Sequence, residues 1–488
     1  MTQSIVIQVG QCGNQIGSRF WDLALREHSA TNEKAIYDSA LSTFFVNGAA
    51  SDGSYLPTVS GLKARAVLVD MEEGVVGELF KGPMRTIYDN RFLITDVSGS
   101  GNNWAVGNCY YGHHYHEELV DVIRKSTELC DCLQCFFLIH SLGGGKILLL
   151  LSSFYGFAGT GSGVGTHLLQ ILAEDYPHVC RIVTAVFPSM DDDVITSPYN
   201  TVLGLGQLTE SADCVLPIDN SALANIVNRL KEAGVKQVSR SHPITEKAKS
   251  NWPAATLSKT TITKTKPFDD MNNIVATMLL NLTSSSRFEG TMNVDISEIS
   301  MNLVPFPRMH YLITSQTPLA NADRTVAPRK IDQVFSDAFT RDLQLFSADP
   351  CRNTYLAAAL LMRGSVTASD IRRNIERLRQ RLRFVPWNRE GWKVGHCLVP
   401  PIGLPYCLLA LSNNTAIRER FSGILERFSK LYKRKAHLHH YTSVGNFDPD
   451  LFKVSSDSLE DLYQQYDHME RQSELGIMPT LPRLQISD

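Results

Sequence analysis

Glycine-rich segments that follow strand-like runs are the feature that most constrains the fold of this chain. They are Gly10–Gly17, Ser98–Trp104, and a cluster split into Gly143–Gly145 and Gly159–Gly165. Glycine tolerates positive φ and lets the backbone approach a bound group closely, so several N–H groups can converge on one phosphate. Three such segments after separate strands are hard to explain as turns. They predict that the chain binds a purine nucleotide through glycine-rich loops.

The first 220 residues alternate short apolar runs with helix-like stretches. Candidate strands lie at Ile5–Val9, Ala66–Val69, Cys135–Ile139 and Arg181–Phe187. Strands that alternate with helices form a parallel sheet, and ligands of such sheets bind at the carboxyl ends of the strands. The predicted fold class is therefore α/β, with polar and glycine-rich loops gathered at one end of a parallel sheet.

Composition and charge exclude several classes of function. With 488 residues, 43% hydrophobic and 20% charged, the chain should form two or three ordinary globular domains. A formal charge of -3 provides no overall attraction to nucleic acid or to a membrane surface. The ten cysteines are scattered, which favours free thiols in a reducing compartment. The longest aliphatic run, Ile147–Leu151, is too short to cross a bilayer, and the first residues do not resemble a signal peptide.

Two common nucleotide motifs fail on inspection. Gly145-Lys146 resembles the end of a Walker A loop, but Ile147 replaces Ser or Thr, and His140 stands where the upstream glycine is required. The dinucleotide fingerprint G-x-G-x-x-G does not fit the spacing of Gly10–Gly17. A dehydrogenase on a doubly wound sheet is therefore disfavoured.

Clusters of cysteine and histidine have structural explanations. Cys130-x-Cys132-x-x-Cys135 could indicate a metal, but zinc sites need a second cluster, and apolar packing beside a buried strand is favoured. The histidines of 437–440 lie before the final helix, where a structural role is favoured over ligand binding. A basic stretch, 229–266, has nine Lys or Arg against two Glu and is predicted to be a mobile surface insertion.

Taken in order, the motifs resemble those of tubulins from residue 1 to about residue 470. The segments that carry the resemblance are Gly10–Gln15, Val69–Glu72, Gly101–Ala105, the split glycine cluster, Ser197–Asn200, Ile218–Asn220, Arg287–Gly290 and Asn302–Arg308. Within that family the chain looks most like the epsilon class. The segments that favour this class are Met1–Ser4, Asp131–Phe137, Asp192–Ser197, the basic insertion and the non-acidic tail.

The resemblance implies a tubulin-like architecture built from a parallel-sheet nucleotide-binding domain, a long core helix, a second α/β domain and a C-terminal helical hairpin. The implied boundaries are 1–266 for the GTP-binding domain, with atypical insertions at 146–159 and about 229–266, then 267–286, 287–415, 416–472 and a non-acidic tail at 473–488. Partners that bind the acidic tails of alpha and beta tubulins should bind this tail poorly.

The resemblance also implies the cofactors GTP/GDP and Mg²⁺. The nucleotide contacts that it assigns are Gly10, Gln11, Cys12, Gln15, Gly101, Asn102, Ser141, Gly144, Gly145, Thr160, Gly161, Asp193, Asn220, Phe268 and Asn272. Asn220 and Asn272 would bind the guanine edge, since an amide both donates and accepts hydrogen bonds, and Phe268 would stack on the ring. Glu72, with Asp70 nearby, would hold Mg²⁺ through water. Ser197 replaces the glutamate of alpha and beta tubulins, which affects one ribose contact.

A further resemblance concerns hydrolysis. Gly290–Glu298 is similar to the tubulin loop that completes the nucleotide site of a neighbouring subunit. An acid at the position of Glu298 can polarise an attacking water, so Glu298 and Asp295 are predicted to act in trans on the subunit below. The alternative is that both are merely exposed acids on a loop. The enzyme assignment is a GTPase whose hydrolysis depends on assembly.

The implied partners are other tubulin-family subunits, including delta tubulin and alpha/beta tubulin, together with centriolar proteins, and neither nucleic acid nor a membrane. The implied location is the cytoplasm and cytoskeleton, at the centrosome, the centriole and the basal body of the cilium. The basic insertion follows the Asn220 loop, near the surface on which tubulins stack, so it could alter the choice of partner.

One departure from the family lies inside the most diagnostic loop. About fourteen residues, Lys146–Gly159, interrupt an otherwise unbroken glycine motif, and they include the apolar run Ile147–Leu151. An apolar segment at a phosphate-binding turn is unfavourable if exposed and disruptive if buried. A gene-model error, a natural outward loop and a true loss of nucleotide binding are the three explanations. The third would make the chain a structural tubulin-like subunit with an inactive site.

Overall fold

A computed structural model of the chain describes residues 2–48, 58–143, 159–189, 194–232, 268–319 and 330–475. Strands β1 to β13 are Gln3–Val9, Phe45–Val46, Lys63–Ala64, Ala66–Asp70, Leu93–Thr95, Leu133–Ser141, Cys180–Phe187, Cys214–Asp219, Gly290–Met292, Leu312–Thr317, Tyr355–Gly364, Trp392–Cys397 and Tyr406–Asn414. Helices α1 to α15 are Gly10–Thr31, Ser39–Ser42, Glu73–Lys81, His116–Glu128, Gly159–Asp175, Ser197–Ser211, Asn220–Glu232, Asp269–Leu282, Ser284–Arg287, Ile296–Leu303, Ile331–Asp337, Ala368–Arg381, Ile417–Lys433, His439–Thr442 and Leu451–Leu475. A π-helical segment, Val106–Gly112, precedes α4.

The first sheet has six parallel strands in the order β5-β4-β1-β6-β7-β8. Its strands are apolar over most of their length because helices cover both faces, and every residue of β1 is buried. The chain order reverses on either side of β1, so the crevice for a ligand opens between β1 and β6. The α/β fold predicted from the sequence is confirmed.

We call the two ends of this sheet the carboxyl end, where Val9, Asp70, Ser141 and Asp219 terminate their strands, and the amino end, where those strands begin. Helix α1 starts at the carboxyl end, directly after β1, and returns past the amino end. Segments at the carboxyl end can therefore contact a ligand, and those at the amino end lie on the opposite surface of the domain.

Two glycine-rich segments that the sequence suggested as loops are the first turns of helices. Helix α1 begins at Gly10, and α5 begins at Gly159. The absence of side chains at these positions allows each helix to pack directly against its neighbours. The glycine N–H groups are consequently the unpaired N-terminal donors of helices, which are well suited to phosphate.

A second, mixed sheet has the order β10-β13-β11-β12-β9. Its central strand β11 runs parallel to β12 and antiparallel to β13, and all ten of its residues are buried. Helix α12 covers one face of the sheet through Ile371, Ile375 and Leu378. This sheet forms the core of the second α/β domain that the sequence implied.

Helix α8 joins the two sheets and packs along α1. The predicted core helix, 267–286, is interrupted at Thr283, after which the short helix α9 turns the chain toward β9. Beside this junction, Glu27 on α1 forms ion pairs of 2.8 Å with Arg287 and 2.9 Å with Arg363. All three side chains are buried, so this cluster ties the first domain to the second.

The C-terminal helices α13 and α15 pack against each other and against α6. Helix α15 begins at Leu451, where Phe452 packs on Tyr199 and Tyr441. Near the other end, Glu470 is buried and pairs with Arg383. Within the described ranges no helix is long and apolar enough to span a membrane.

Candidate functional site

The first turn of α1 is held tightly at the carboxyl end of the sheet. Gly10 has φ +70°, and a Cβ there would lie only 3.1 Å from the N–H nitrogen of Gly161. The buried Asn14 side chain donates to the Gly10 carbonyl at 3.0 Å and approaches the Val69 carbonyl at 3.5 Å. Three strand ends, those of β1, β4 and β6, are thereby joined around one point.

Three predicted contacts lie on this same turn. Gln11, Cys12 and Gln15 are half-buried, with their backbone at the N-terminal end of a 22-residue helix. Burial raises the pKa of the Cys12 thiol to about 12, so the thiol stays neutral. The positive end of the helix dipole and unpaired N–H groups make this turn favourable for an anion.

Two carboxylates follow β4. Asp70 is buried, and its Oδ2 atom has no hydrogen-bond partner. Burial, followed by the charge of the neighbouring Glu72, raises the pKa of Asp70 to about 7. Mg²⁺ is usually bound by one or two protein carboxylates together with phosphate oxygens and water. The unpaired oxygen of Asp70 and the half-buried carboxylate of Glu72 fit this pattern. The described residues contain no denser cluster of metal ligands.

The loop after β5 closes over the start of α5. Ser100 Oγ lies 3.2 Å from Thr160 Oγ1, and a Cβ on Gly159 would come within 2.6 Å of the Asn103 nitrogen. Gly101 and Asn102 both have left-handed backbone conformations and lie on the outer side of this contact. The loop that carries the predicted nucleotide contacts Gly101 and Asn102 therefore touches the start of α5, which carries the predicted contact Thr160.

Ser141 and Gly161 meet at the centre of the crevice. A Cβ on Gly161 would lie 2.7 Å from Ser141 Oγ, so a larger residue does not fit without a shift. Both residues were predicted nucleotide contacts, and the structure brings them together with Thr160 and Gly10. Gly144, Gly145 and Asp193 lie outside the described residues, as do most of the two predicted insertions.

The residues predicted to bind the guanine base come from two packed helices. Asn220 is exposed at the start of α7, directly after β8. Phe268 has φ +74° and precedes α8, and its carbonyl accepts the Asn272 N–H at 2.8 Å. A left-handed conformation at a bulky residue is strained by about 1–2 kcal/mol. Phe268 and Asn272 are half-buried.

Sequence reasoning missed the residue that holds the Gly101–Asn102 loop. Asn200 is fully buried, donates to the Asn102 carbonyl at 2.7 Å and accepts the Trp104 N–H at 2.9 Å. The Tyr441 hydroxyl donates to the same Asn200 oxygen at 2.6 Å. Asn200 was part of a motif that carried the family resemblance, but nothing local to the sequence indicates which distant loop it supports.

The cysteine prediction is partly wrong. Cys135 is buried in β6, but Cys132 is exposed, and Arg65 Nη1 donates to Cys130 Sγ at 3.2 Å. Of the three, only Cys135 is fully buried in the core as predicted, because the turn before β6 brings the other two toward the surface.

The Gly290–Glu298 segment lies at the amino end of the sheet. Asp295 caps α10, accepting from the Ile296 N–H at 2.8 Å and from Gln134. Glu298 forms an ion pair of 2.7 Å with Lys393, and its side chain is 42% exposed. Gln134 and Ser141 lie at opposite ends of β6, and seven residues of a strand span about 23 Å. Glu298 is thus remote from the phosphate loops of its own chain.

Two family models match the chain. The GTPase domain of the Tubulin/FtsZ family matches residues 3–228, and the tubulin C-terminal domain matches residues 307–426. The chain therefore belongs to the tubulin family, and family membership implies a cytoskeletal protein that binds guanine nucleotide.

Its relatives define the class more closely. The chain is 52% identical to the tubulin epsilon chains of Mus musculus and Homo sapiens over the full length of both sequences. Identity to the tubulin beta-4 chain of Zea mays is 32%, over 96% of each chain. The chain is thus an epsilon-like tubulin-family subunit, which confirms the resemblance found in the motifs.

Proposed function

We propose that this chain is a GTP-binding subunit that stacks head-to-tail with other tubulin-family subunits. It would bind GTP or GDP at the carboxyl end of its first sheet and complete hydrolysis in the neighbour's site through its amino end. The proposal rests on this separation: the candidate catalytic carboxylates, Glu298 and Asp295, lie across the sheet from the loops that would hold nucleotide in the same chain.

On the nucleotide side, the proposal rests on backbone N–H groups that already lie at the crevice. The N-terminal turns of α1 and α5 meet at Gly10 and Gly161, so their N–H groups point into one crevice. Asp70 and Glu72 would hold Mg²⁺, which supplies charge neutralisation of the phosphates. Gly144, Gly145 and Asp193 are proposed to complete the phosphate and ribose contacts, and Asn220, Phe268 and Asn272 those of guanine.

On the catalytic side, Glu298 and Asp295 would have different tasks. Asp295 accepts three hydrogen bonds, from Ile296, Ser297 and Gln134, so it fixes the loop rather than meeting water. Glu298 is exposed enough to reach a neighbouring chain, and its partner Lys393 is a surface residue that could release it. As a carboxylate, Glu298 would orient the water that attacks the γ-phosphorus, with departure of GDP.

The proposed cellular setting is microtubule organisation at centrioles, the centrosome and basal bodies of cilia. The relatives at 52% identity are epsilon chains, and this setting is carried over from the family resemblance. Delta tubulin, alpha/beta tubulin and centriolar proteins are the proposed partners. Pull-down of tagged chain from ciliated cells, with centriole imaging, would test this setting; a diffuse distribution without tubulin partners would contradict it.

The insertion at 146–159 supports a second candidate, a structural subunit with an inactive nucleotide site. Its flanks, Gly143 and Gly159, lie at the crevice itself, so an inserted loop there could block phosphate. GTP binding should be measured for the chain with and without 146–159. Binding by both forms would support an outward loop, and binding by neither would favour the structural subunit.

The catalytic assignment is tested by Glu298→Gln, which keeps the shape of the side chain and removes its charge. Bound nucleotide per chain should be unchanged, whereas phosphate release in assemblies should fall at least about 100-fold, as for loss of a general base. Glu390→Gln is the matched control, because Glu390 also forms a surface ion pair, of 2.9 Å with Arg379. Loss of nucleotide from Glu298→Gln, or equal loss of hydrolysis in both variants, would contradict the assignment.

A further inference from the structure

A groove lies between the last helix and the loop before β10. Its volume is about 800 Å³, and its apolar lining comes from Phe306, Pro307, Met309, Tyr463 and Met469. The rim is polar, with Glu460, Asp467 and Arg471 along α15. Asp467 is already paired with Arg418 at 2.5 Å and with Arg471 at 2.7 Å. Asp467 and Arg471 are therefore already in ion pairs, whereas Glu460 is an exposed acid on the rim.

The residues that follow this helix have a composition that matches the groove. Helix α15 ends at Leu475, and the next residue is Gly476, with Pro479 three residues further. Glycine after the last helical residue, followed by proline, is the usual pattern where a helix stops and the chain changes direction. The terminal segment, 476–488, has five large aliphatic side chains: Ile477, Met478, Leu481, Leu484 and Ile486. Covering these side chains would remove apolar surface from water, which is favourable.

The length of the terminal segment agrees with the position of the groove. Tyr463 precedes the end of α15 by twelve residues, which is about 18 Å of helix. Six residues of extended chain span about 20 Å, so Leu481 can return to the level of Tyr463. Arg483 then comes level with Glu460, which would pair the one basic residue of the segment with the exposed acid of the rim.

We propose that the terminal segment folds back along α15 and occupies this groove. Met478 and Leu481 would cover Met469 and Tyr463, and Arg483 would pair with Glu460. The outer face of the last helix would then be covered by the chain itself, and a partner that binds there would first have to displace the segment. This proposal is independent of nucleotide binding and hydrolysis.

Photocrosslinking in the full chain tests the proposal. With p-benzoylphenylalanine in place of Leu481, irradiation and peptide mapping should give crosslinks within one chain to residues 306–309 or 460–471. The substitution lies beyond all described elements, so it leaves the helices and sheets unaltered. Crosslinks to other parts of the chain, to a second copy at doubled mass, or to no peptide would overturn the proposal.

A pair of variants makes the test specific. Met478→Asp should lower the yield of the groove crosslink about tenfold, because burial of a methionine is replaced by burial of a charge. Thr480→Asp adds the same charge at a polar position and should leave the yield within a factor of two to three, which is the usual range for an exposed site. Equal losses in both variants would show that charge, rather than apolar docking, controls the contact and would also overturn the proposal.

Discussion

The two ends of the first sheet are built in different ways. At the carboxyl end, a Cβ added at Gly10 would lie 3.1 Å from the Gly161 nitrogen, and a Cβ added at Gly161 would lie 2.7 Å from Ser141 Oγ. At the amino end, Glu298 is held by one surface ion pair and is 42% exposed. The first end is a preformed cradle, and the second is a surface with a reactive group and no ligand loops of its own. Under the proposed function, a site divided in this way between two chains would hydrolyse its nucleotide only after they meet.

The largest expected effect concerns helix α1, which connects the two ends of the sheet. Helix α1 starts in the cradle with Gly10 and carries Glu27 near its other end, where Glu27 pairs with Arg287 and Arg363. Glu27→Gln should lower the free energy of unfolding by about 3–5 kcal/mol, because two buried guanidinium groups lose their counter-charge. Urea unfolding measures this effect. A decrease in the free energy of unfolding of less than about 1 kcal/mol would show that the cluster does not anchor helix α1.

The same cluster predicts a pH dependence. The two guanidinium groups outweigh the opposing effect of burial and hold the pKa of Glu27 below its usual value. The stabilisation is therefore fully present above the pKa of Glu27 in the unfolded chain, and it is lost as pH falls through the lower folded value. Wild type and Glu27→Gln should converge in stability in strong acid. A constant difference at all pH values would contradict the ion-pair explanation.

The next effect tests the cradle itself. Gly161→Ala introduces a Cβ 2.7 Å from Ser141 Oγ. Such overpacking should lower the free energy of unfolding by about 1–3 kcal/mol and weaken the free energy of nucleotide binding by a comparable amount. Gly77→Ala is the control, since nothing lies within 4 Å of its would-be Cβ. That variant should be neutral or more stable by up to about 1 kcal/mol, as expected for Gly to Ala in a helix. If calorimetry gave the same change in stability for both variants, Gly161 would be no more tightly packed than a surface glycine, which would contradict the contrast.

A smaller effect is expected at Asp70, where a substitution should preserve or raise stability and abolish the Mg²⁺ dependence of nucleotide binding. Asp70→Asn should leave the free energy of unfolding at pH 8 unchanged or raise it by about 1–2 kcal/mol, because a buried, unpaired charge is removed. The variant should at the same time lose the Mg²⁺ dependence of nucleotide binding. Titration with GTP in the presence and absence of a chelator measures this. A variant that still responds to the chelator as wild type does would contradict the assigned metal role.

The smallest effect belongs to the amino end. Lys393→Met removes the partner of Glu298, and a half-exposed ion pair contributes only about 0–1 kcal/mol to stability. Thermal unfolding should therefore change little. A loss as large as that of Glu27→Gln would mean that Glu298 is a structural residue, and the contrast between the two ends would fail.

Much of the carboxyl end could be predicted from the sequence, because strand runs and glycine segments are local patterns. The parallel sheet follows from such patterns, and the family resemblance implied that Gly10, Ser141, Thr160 and Gly161 share one site. The early helix starts at Gly10 and Gly159 did not follow, since glycine normally disfavours a helix and only close packing reverses this preference. The sequence contains no local trace of that packing.

Contacts between distant segments were the part that could not be predicted. Asn200 supports a loop almost a hundred residues earlier, and its other partner, Tyr441, comes from the C-terminal helices. Likewise, the pairing of Glu298 with Lys393 depends on β9 lying beside β12. Such contacts are set by the three-dimensional path of the chain rather than by residue type. Single-sequence patterns therefore indicated the function of the site and missed the residues that support it.

The most direct test of a divided site is the concentration dependence of single-turnover GTP hydrolysis. Wild type and Glu298→Gln, each loaded with GTP, should hydrolyse equally slowly when dilute. As concentration rises or a tubulin partner is added, the wild-type rate should increase with assembly, and the rate of Glu298→Gln should stay low at equal nucleotide occupancy. A wild-type rate that is independent of concentration, yet still lost in Glu298→Gln, would mean that catalysis occurs within one chain and would contradict the account.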